Sequence, residues 1–179
     1  MKKLPKLLEN FNAAKGEAST AAHQMAQIHG KAQTLAGELD GRLVPACAAD
    51  VPGSLDGFMR RVKPDGEWFN QAAALKNEFI GARAAVAKAR ENLGTAEAAL
   101  VEELNQLNAE QLEALRARRG GMVEKIVKFL LPYCDGDGAK ASELACLCPA
   151  VTGLDFNIST AAVPVAPEIM AGRFLSTVS

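Results

Sequence analysis

Aromatic side chains are scarce in this chain: one Trp, one Tyr and seven Phe serve 179 residues. A core without many rings is filled by aliphatic and small side chains, and it gains less at ~25 cal/mol per Å² of apolar surface buried. Helices built this way are expected to need several neighbours, from the same chain or from other copies of it. Histidine is scarcer, with His23 and His29 alone. Six residues apart on a helix, they face different ways and cannot share a metal as an i, i+4 pair would. Both are assigned to polar faces.

The four cysteines, Cys47, Cys134, Cys146 and Cys148, are too few for a secreted disulfide scaffold. They are expected to be packed free thiols in a reducing compartment. A formal net charge of −1 supplies no general attraction to nucleic acid or to an anionic membrane. Long apolar runs are also missing: nothing approaches the ~20 residues that cross a bilayer. The basic opening Met1–Lys6 is followed by Asn10, Asn12, Lys15 and Glu17, which interrupt the apolar stretch a secretion signal requires. The expectation is a protein of the cytoplasm, or of a particle assembled there, with no membrane span.

What the sequence does have is two long apolar seams. One passes through Leu4, Leu7, Phe11, Ala14, Ala18, Ala21, Met25, Ile28, Ala32, Leu35 and Leu39. The other passes through Trp68, Ala72, Leu75, Phe79, Ala82, Val86, Ala89, Leu93, Ala96, Leu100 and, after a break at Glu103, Leu107. Steps of three and four place each set on one helical stripe, the pattern a coiled coil buries. The fold class expected is mainly α: a long antiparallel, alanine-rich helical hairpin with a small mixed α/β carboxy-terminal region.

Residues 1–121 form the hairpin in this reading, with a proline-containing connector at 43–65. The first helix spans 4 to about 42, and Gly16, Gly30 and Gly37 are read as points of close backbone approach. Ser54 caps a short connector helix carrying Leu55, Phe58, Met59 and Val62, and Asp65 caps the second long helix. That helix is expected to stop at Gly120-Gly121, with Arg116, Arg118 and Arg119 in its last turn. Folding back antiparallel pairs residues whose numbers total about 110, which brings Lys2, Lys3 and Lys6 towards Glu102 and Glu103. Leu107, Leu112 and Leu115 then overhang the first helix. A second stripe, Phe69, Ala73, Ile80, Ala87, Val101 and Leu104, widens the apolar face beyond one neighbour.

Residues 122–179 form the contact module of this reading. A short helix over Met122–Leu131 buries Val123, Ile126, Val127 and Leu130, and another covers Lys140–Leu147. Leu154-Asp155-Phe156-Asn157-Ile158-Ser159 alternates like a strand, and the nearly uncharged tail from Ala161 is expected to be docked.

Candidate chemistry is thin. Asp135-Gly136-Asp137-Gly138 resembles part of a calcium loop, but with Gly138 at position 6 the first ligand position holds Tyr133 and the twelfth Leu144. Cys134, Cys146 and Cys148 lack the two-pair spacing of structural zinc, and Cys47 is the only further thiol. No nucleophile elbow, phosphate loop or metalloprotease motif is present. Neither cofactor nor catalytic set is expected.

The leading expectation is a non-enzymatic structural or assembly protein, a self-associating helical component of a larger particle such as a bacteriophage virion or secretion apparatus. Its partners are further copies of itself and other protein components, held by Leu107, Leu112, Leu115, Val123, Ile126, Leu130, Leu154, Phe156 and Ile158. The alternatives are a cytosolic coiled-coil adaptor or chaperone gripping a partner helix, and a small DNA-binding regulator with a winged-helix-like carboxy-terminal region. Nucleic acid is disfavoured, because the segment near Cys146–Pro149 has almost no side chains to meet phosphates or base edges.

Overall fold

The computed structural model describes residues 3–40 and 51–176. Its elements are α1 (Leu4–Asp40), α2 (Val51–Met59), α3 (Glu67–Leu130), a 3₁₀ turn (Leu131–Cys134), α4 (Gly138–Cys146), α5 (Pro149–Ala161) and α6 (Pro167–Ser176). The chain is mainly helical, and no strand occurs among the described residues. It divides into two compact units, Glu9–Ala98 and Met1–Leu8 with Ala99–Ser179.

In the unit Glu9–Ala98, the two seams build the core together with α2. Ala32 and Leu35, Val51, Leu55 and Phe58, and Ala72 and Phe79 form one buried cluster, with Met25, Ile28, Trp68 and Leu75 packed against it. A second cluster joins Ala21 to Val86 and Ala89. Later residues of α1 meet earlier residues of α3, so the helices run antiparallel here. Lys31 Nζ lies 4.0 Å from Glu78 Oε2, within one residue of the register the sequence sets. Both side chains are largely exposed, so the pair marks register more than it adds stability. Lys76 Nζ reaches Asp56 Oδ1 at 2.6 Å and ties α2 to α3.

Local details of this unit correct several expectations. Ser54 lies inside helix α2 (Val51–Met59) and does not cap it. Asp65 adopts a left-handed backbone, φ 59°, in a turn closed by the Gly66 N–H on the Lys63 carbonyl at 3.1 Å. The carbonyl that accepts from the Asn70 N–H is that of Gly66, so Gly66 takes the place expected of Asp65. A Cβ at Gly16, Gly30 or Gly37 would meet nothing within 4 Å. These glycines face solvent and mediate no close approach. On the second stripe Phe69 and Ala73 are half-buried, whereas Ile80 is 51% exposed. Connector positions 43–50 lie outside the described residues.

In the other unit, Leu4, Leu100, Leu104, Leu107, Cys134, Ala141, Ala145, Val151, Leu154, Ala171 and Phe174 are buried. Helix α3 does not stop at Gly120-Gly121 but continues to Leu130. Leu112, Leu115, Arg119, Met122, Val123, Ile126, Val127 and Leu130 form one half-buried stripe across the glycine pair. Continuing that stripe outweighs the ~1 kcal/mol that each exposed glycine costs a helix.

The expected strand at Leu154–Ser159 is part of α5, which corrects the mixed α/β region to an all-helical one. Pro149 occupies its first turn, where a missing N–H is harmless. Val151 and Leu154 are buried and Ile158 is half-buried, a three-four spacing that overrides the short alternation. The winged-helix reading loses its strand by the same finding. Asp137 accepts from the Ala139 and Lys140 N–H groups at 3.0 and 3.1 Å and so caps α4. Helix α4 packs on both the 3₁₀ turn and α5. The apolar tail is docked, with Ala171 and Phe174 of α6 buried. Among the described residues no ion pair joins Lys3 or Lys6 to Glu102 or Glu103; Lys2 lies outside them.

Candidate functional site

Three features of the unit Met1–Leu8 with Ala99–Ser179 have chemical content. The first is a set of exposed apolar side chains. Phe129, Tyr133, Leu147 and Phe156 are 68, 76, 70 and 71% exposed, and Leu144, Val163 and Ile169 are exposed as well. Helical spacing brings Phe129 and Tyr133 together, with ring centroids 5.7 Å apart and planes tilted by 41°. Helix α5 presents Phe156 away from Val151 and Leu154, because two residues on from a buried helical position is nearly the opposite face. Large apolar side chains left in water mark contact surfaces when they are concentrated in one region.

The second is the contact made by Arg119, which the sequence assigns to a helix end. Since α3 continues, its guanidinium instead reaches α5. Nε donates to Asp155 Oδ1, and Nη2 donates to Oδ2 at 3.3 Å. The hydrogen bonds and charge of Asp155 hold the Arg119 pKa above its ordinary value, and Cys146 adds a smaller contribution of the same sign. Two parallel bonds fix the rotation of α5 against α3 more tightly than one would.

The third is a cleft of about 440 Å³ lined by Asn108, Gln111 and Leu115 of α3, Asn157, Thr160 and Ala161 of α5, and Met170, Arg173 and Phe174 of α6. Of these only Leu115 is among the nine contact residues expected from sequence; Asn157 and the residues from Ala161 onward belong to the expected contact module, and the docking of α6 completes the cleft.

The nine contact residues expected from sequence all fall in this unit. Leu107 and Leu154 are buried, which withdraws them from a surface. Leu112, Leu115, Val123, Ile126, Leu130 and Ile158 are half-buried, and Phe156 is exposed. Phe129, Tyr133 and Leu147 are exposed and are not among those nine. The four-residue spacing of Phe129 and Tyr133 off the Val123–Ile126–Leu130 stripe was the signal available for the first two.

Among the described residues no group of three or more His, Cys, Asp or Glu side chains is placed to hold a metal ion. Asp137 in the calcium-like segment is engaged as a helix cap. Cys134 is buried and Cys146 and Cys148 are half-buried free thiols; Cys47 lies outside the described residues. His23 is exposed and shares a 3.1 Å hydrogen bond with Gln27. Among the described residues no single helix is long and apolar enough to cross a membrane; only α4 and α5 together, bent by 61° at their junction, reach that length and composition.

Comparison with known proteins returned no match to a family model, to a curated protein or to a solved structure.

Proposed function

We propose that the chain is a non-enzymatic assembly protein, a self-associating helical component of a larger particle. In this reading the antiparallel, alanine-lined pairing of α1 and α3 acts as a spacer. Contact with other copies runs through the exposed rings and leucines of residues 129–156. The observation supporting it is the concentration of Phe129, Tyr133, Leu147 and Phe156 in one unit, each more than two-thirds exposed. Leaving such groups in water forgoes about 1.5–3 kcal/mol of burial for each side chain, an amount a second copy recovers.

Sedimentation velocity across a hundredfold range of concentration tests the proposal. The expected result is a reversible increase in mass with concentration, weakened at least tenfold by Phe156→Glu combined with Leu147→Glu while helical content is unchanged. A monomer at every concentration removes the proposal. Self-association that ignores both substitutions but is lost with Ile80→Glu moves the contact to the second stripe of α3.

A further inference from the structure

We propose that the cleft among α3, α5 and α6 is a binding site for a small amphipathic anion, its carboxylate on Arg173 and its apolar tail on Leu115, Met170 and Phe174. The argument begins with charge. Among the described residues Arg173 is the single charged side chain lining the cleft, and none of them brings a carboxylate to it. Among the described residues the guanidinium has no ion-pair partner, in contrast to Arg119, which is held by Asp155. A cation facing an acid-free cavity favours an anionic occupant, and a guanidinium meets a carboxylate through two parallel hydrogen bonds.

Hydrogen-bonding capacity points the same way. Asn108, Gln111 and Asn157 bring three side-chain amides to the cleft from two helices. Each amide offers two donors and an acceptor, and among the described residues none of the three has a side-chain hydrogen bond within the protein. They suit a polar middle portion of the ligand, an amide or ester group next to its charged end. The cleft is open to solvent, with Gln111, Asn157, Thr160 and Arg173 exposed, and its volume of about 440 Å³ falls within the ~300–1,000 Å³ of small-ligand sites. The class defined is an acyl chain of medium length joined through an amide to a carboxylate. None of the residues lining this cleft is among Phe129, Tyr133, Leu147 and Phe156, the side chains assigned to self-association.

N-octanoylglycine is the probe, and its neutral carboxamide, equal in size, is the comparison. Isothermal titration of the full chain with each is expected to show one saturable site per chain, with the neutral compound about five- to tenfold weaker. Arg173→Gln should remove that difference while leaving weak binding of both. Leu115→Trp, which fills the apolar floor, should abolish binding of both, and circular dichroism checks that each variant folds. If Arg173→Gln unfolds the chain, raising salt on the native protein provides the same information, because it weakens the anion selectively. Equal affinity for the two compounds, or no saturable binding of either, overturns the proposal. So does binding that survives Leu115→Trp. None of these results alters the sedimentation experiment, so the two proposals fail independently.

Discussion

Replacing Gly120 and Gly121 together by alanine should stabilise the protein. Both glycines lie inside α3 and are exposed, and a Cβ built at either would meet nothing within 4 Å. Neither carries the positive φ that alanine resists. The substitution therefore adds no clash and removes backbone freedom from the unfolded chain, at about 0.5–1 kcal/mol per site. The pair should contribute about 1–2 kcal/mol. For a chain of this size each kcal/mol moves the melting temperature by about 2–4 °C, so the double variant should melt roughly 2–8 °C higher. Urea unfolding followed by circular dichroism at 222 nm should show a higher midpoint with an unchanged slope. Gly136→Ala is the internal control with the opposite sign, since Gly136 sits at φ 79°, where a side chain costs about 1 kcal/mol. A lower midpoint for the double variant would refute the reasoning. It would mean that the backbone turns at the glycine pair, and that α3 is two helices in solution.

Further outcomes are expected elsewhere. Phe58→Ala opens the core shared by α1, α2 and α3, where Phe58 is 2% exposed; it should cost about 3–5 kcal/mol by chemical denaturation. Asp137→Ala removes the acceptor for two N–H groups at the start of α4 and should cost about 1 kcal/mol, while Asp137→Asn should retain most of that. Arg119→Gln and Asp155→Asn should each lower the unfolding midpoint, and the double variant should lose less than the two effects added, as a double-mutant cycle will show. The raised pKa of Arg119 sets the sign of its pH dependence. Its stabilising contribution is complete below the ordinary arginine range and is lost only as pH rises through the still higher folded value. A stability loss between pH 8 and 10 abolished by Arg119→Gln would contradict this.

The parts of the fold legible in the sequence are those where one period runs for many turns. Ala21, Ala32 and Leu35 on α1, and Ala72, Phe79, Val86 and Ala89 on α3, stand where three-four spacing puts them, and Lys31 opposite Glu78 reports the register. Short elements were less legible. Six residues from Leu154 satisfy a strand pattern, yet Pro149, Val151, Leu154 and Ile158 together make a helix start and a helical stripe. Gly120-Gly121 reads as a stop only if the half-buried positions from Leu112 to Leu130 are not followed across it. Asp65 shows the same effect at a single residue: a good capping side chain is overruled by a tight turn. The candidate site was the least legible, because Asn108, Asn157 and Arg173 are separated widely in sequence and have no shared period. Only the docking of α6 makes them neighbours.

The salt link between Arg119 and Asp155 also bears on what happens when the chain is unfolded. From Leu144 to Pro167 the sequence contains a single ionisable acid or base among Asp, Glu, Lys and Arg, namely Asp155. Freed from α3, this stretch would be a greasy ribbon with one charge to keep it from sticking to its like. Asp155 thus acts twice, as a fastener in the native molecule and as a deterrent to clumping during synthesis or after heating. Asp155→Asn should therefore lower recovery after thermal unfolding by more than Arg119→Gln does, even where the two native proteins are equally stable.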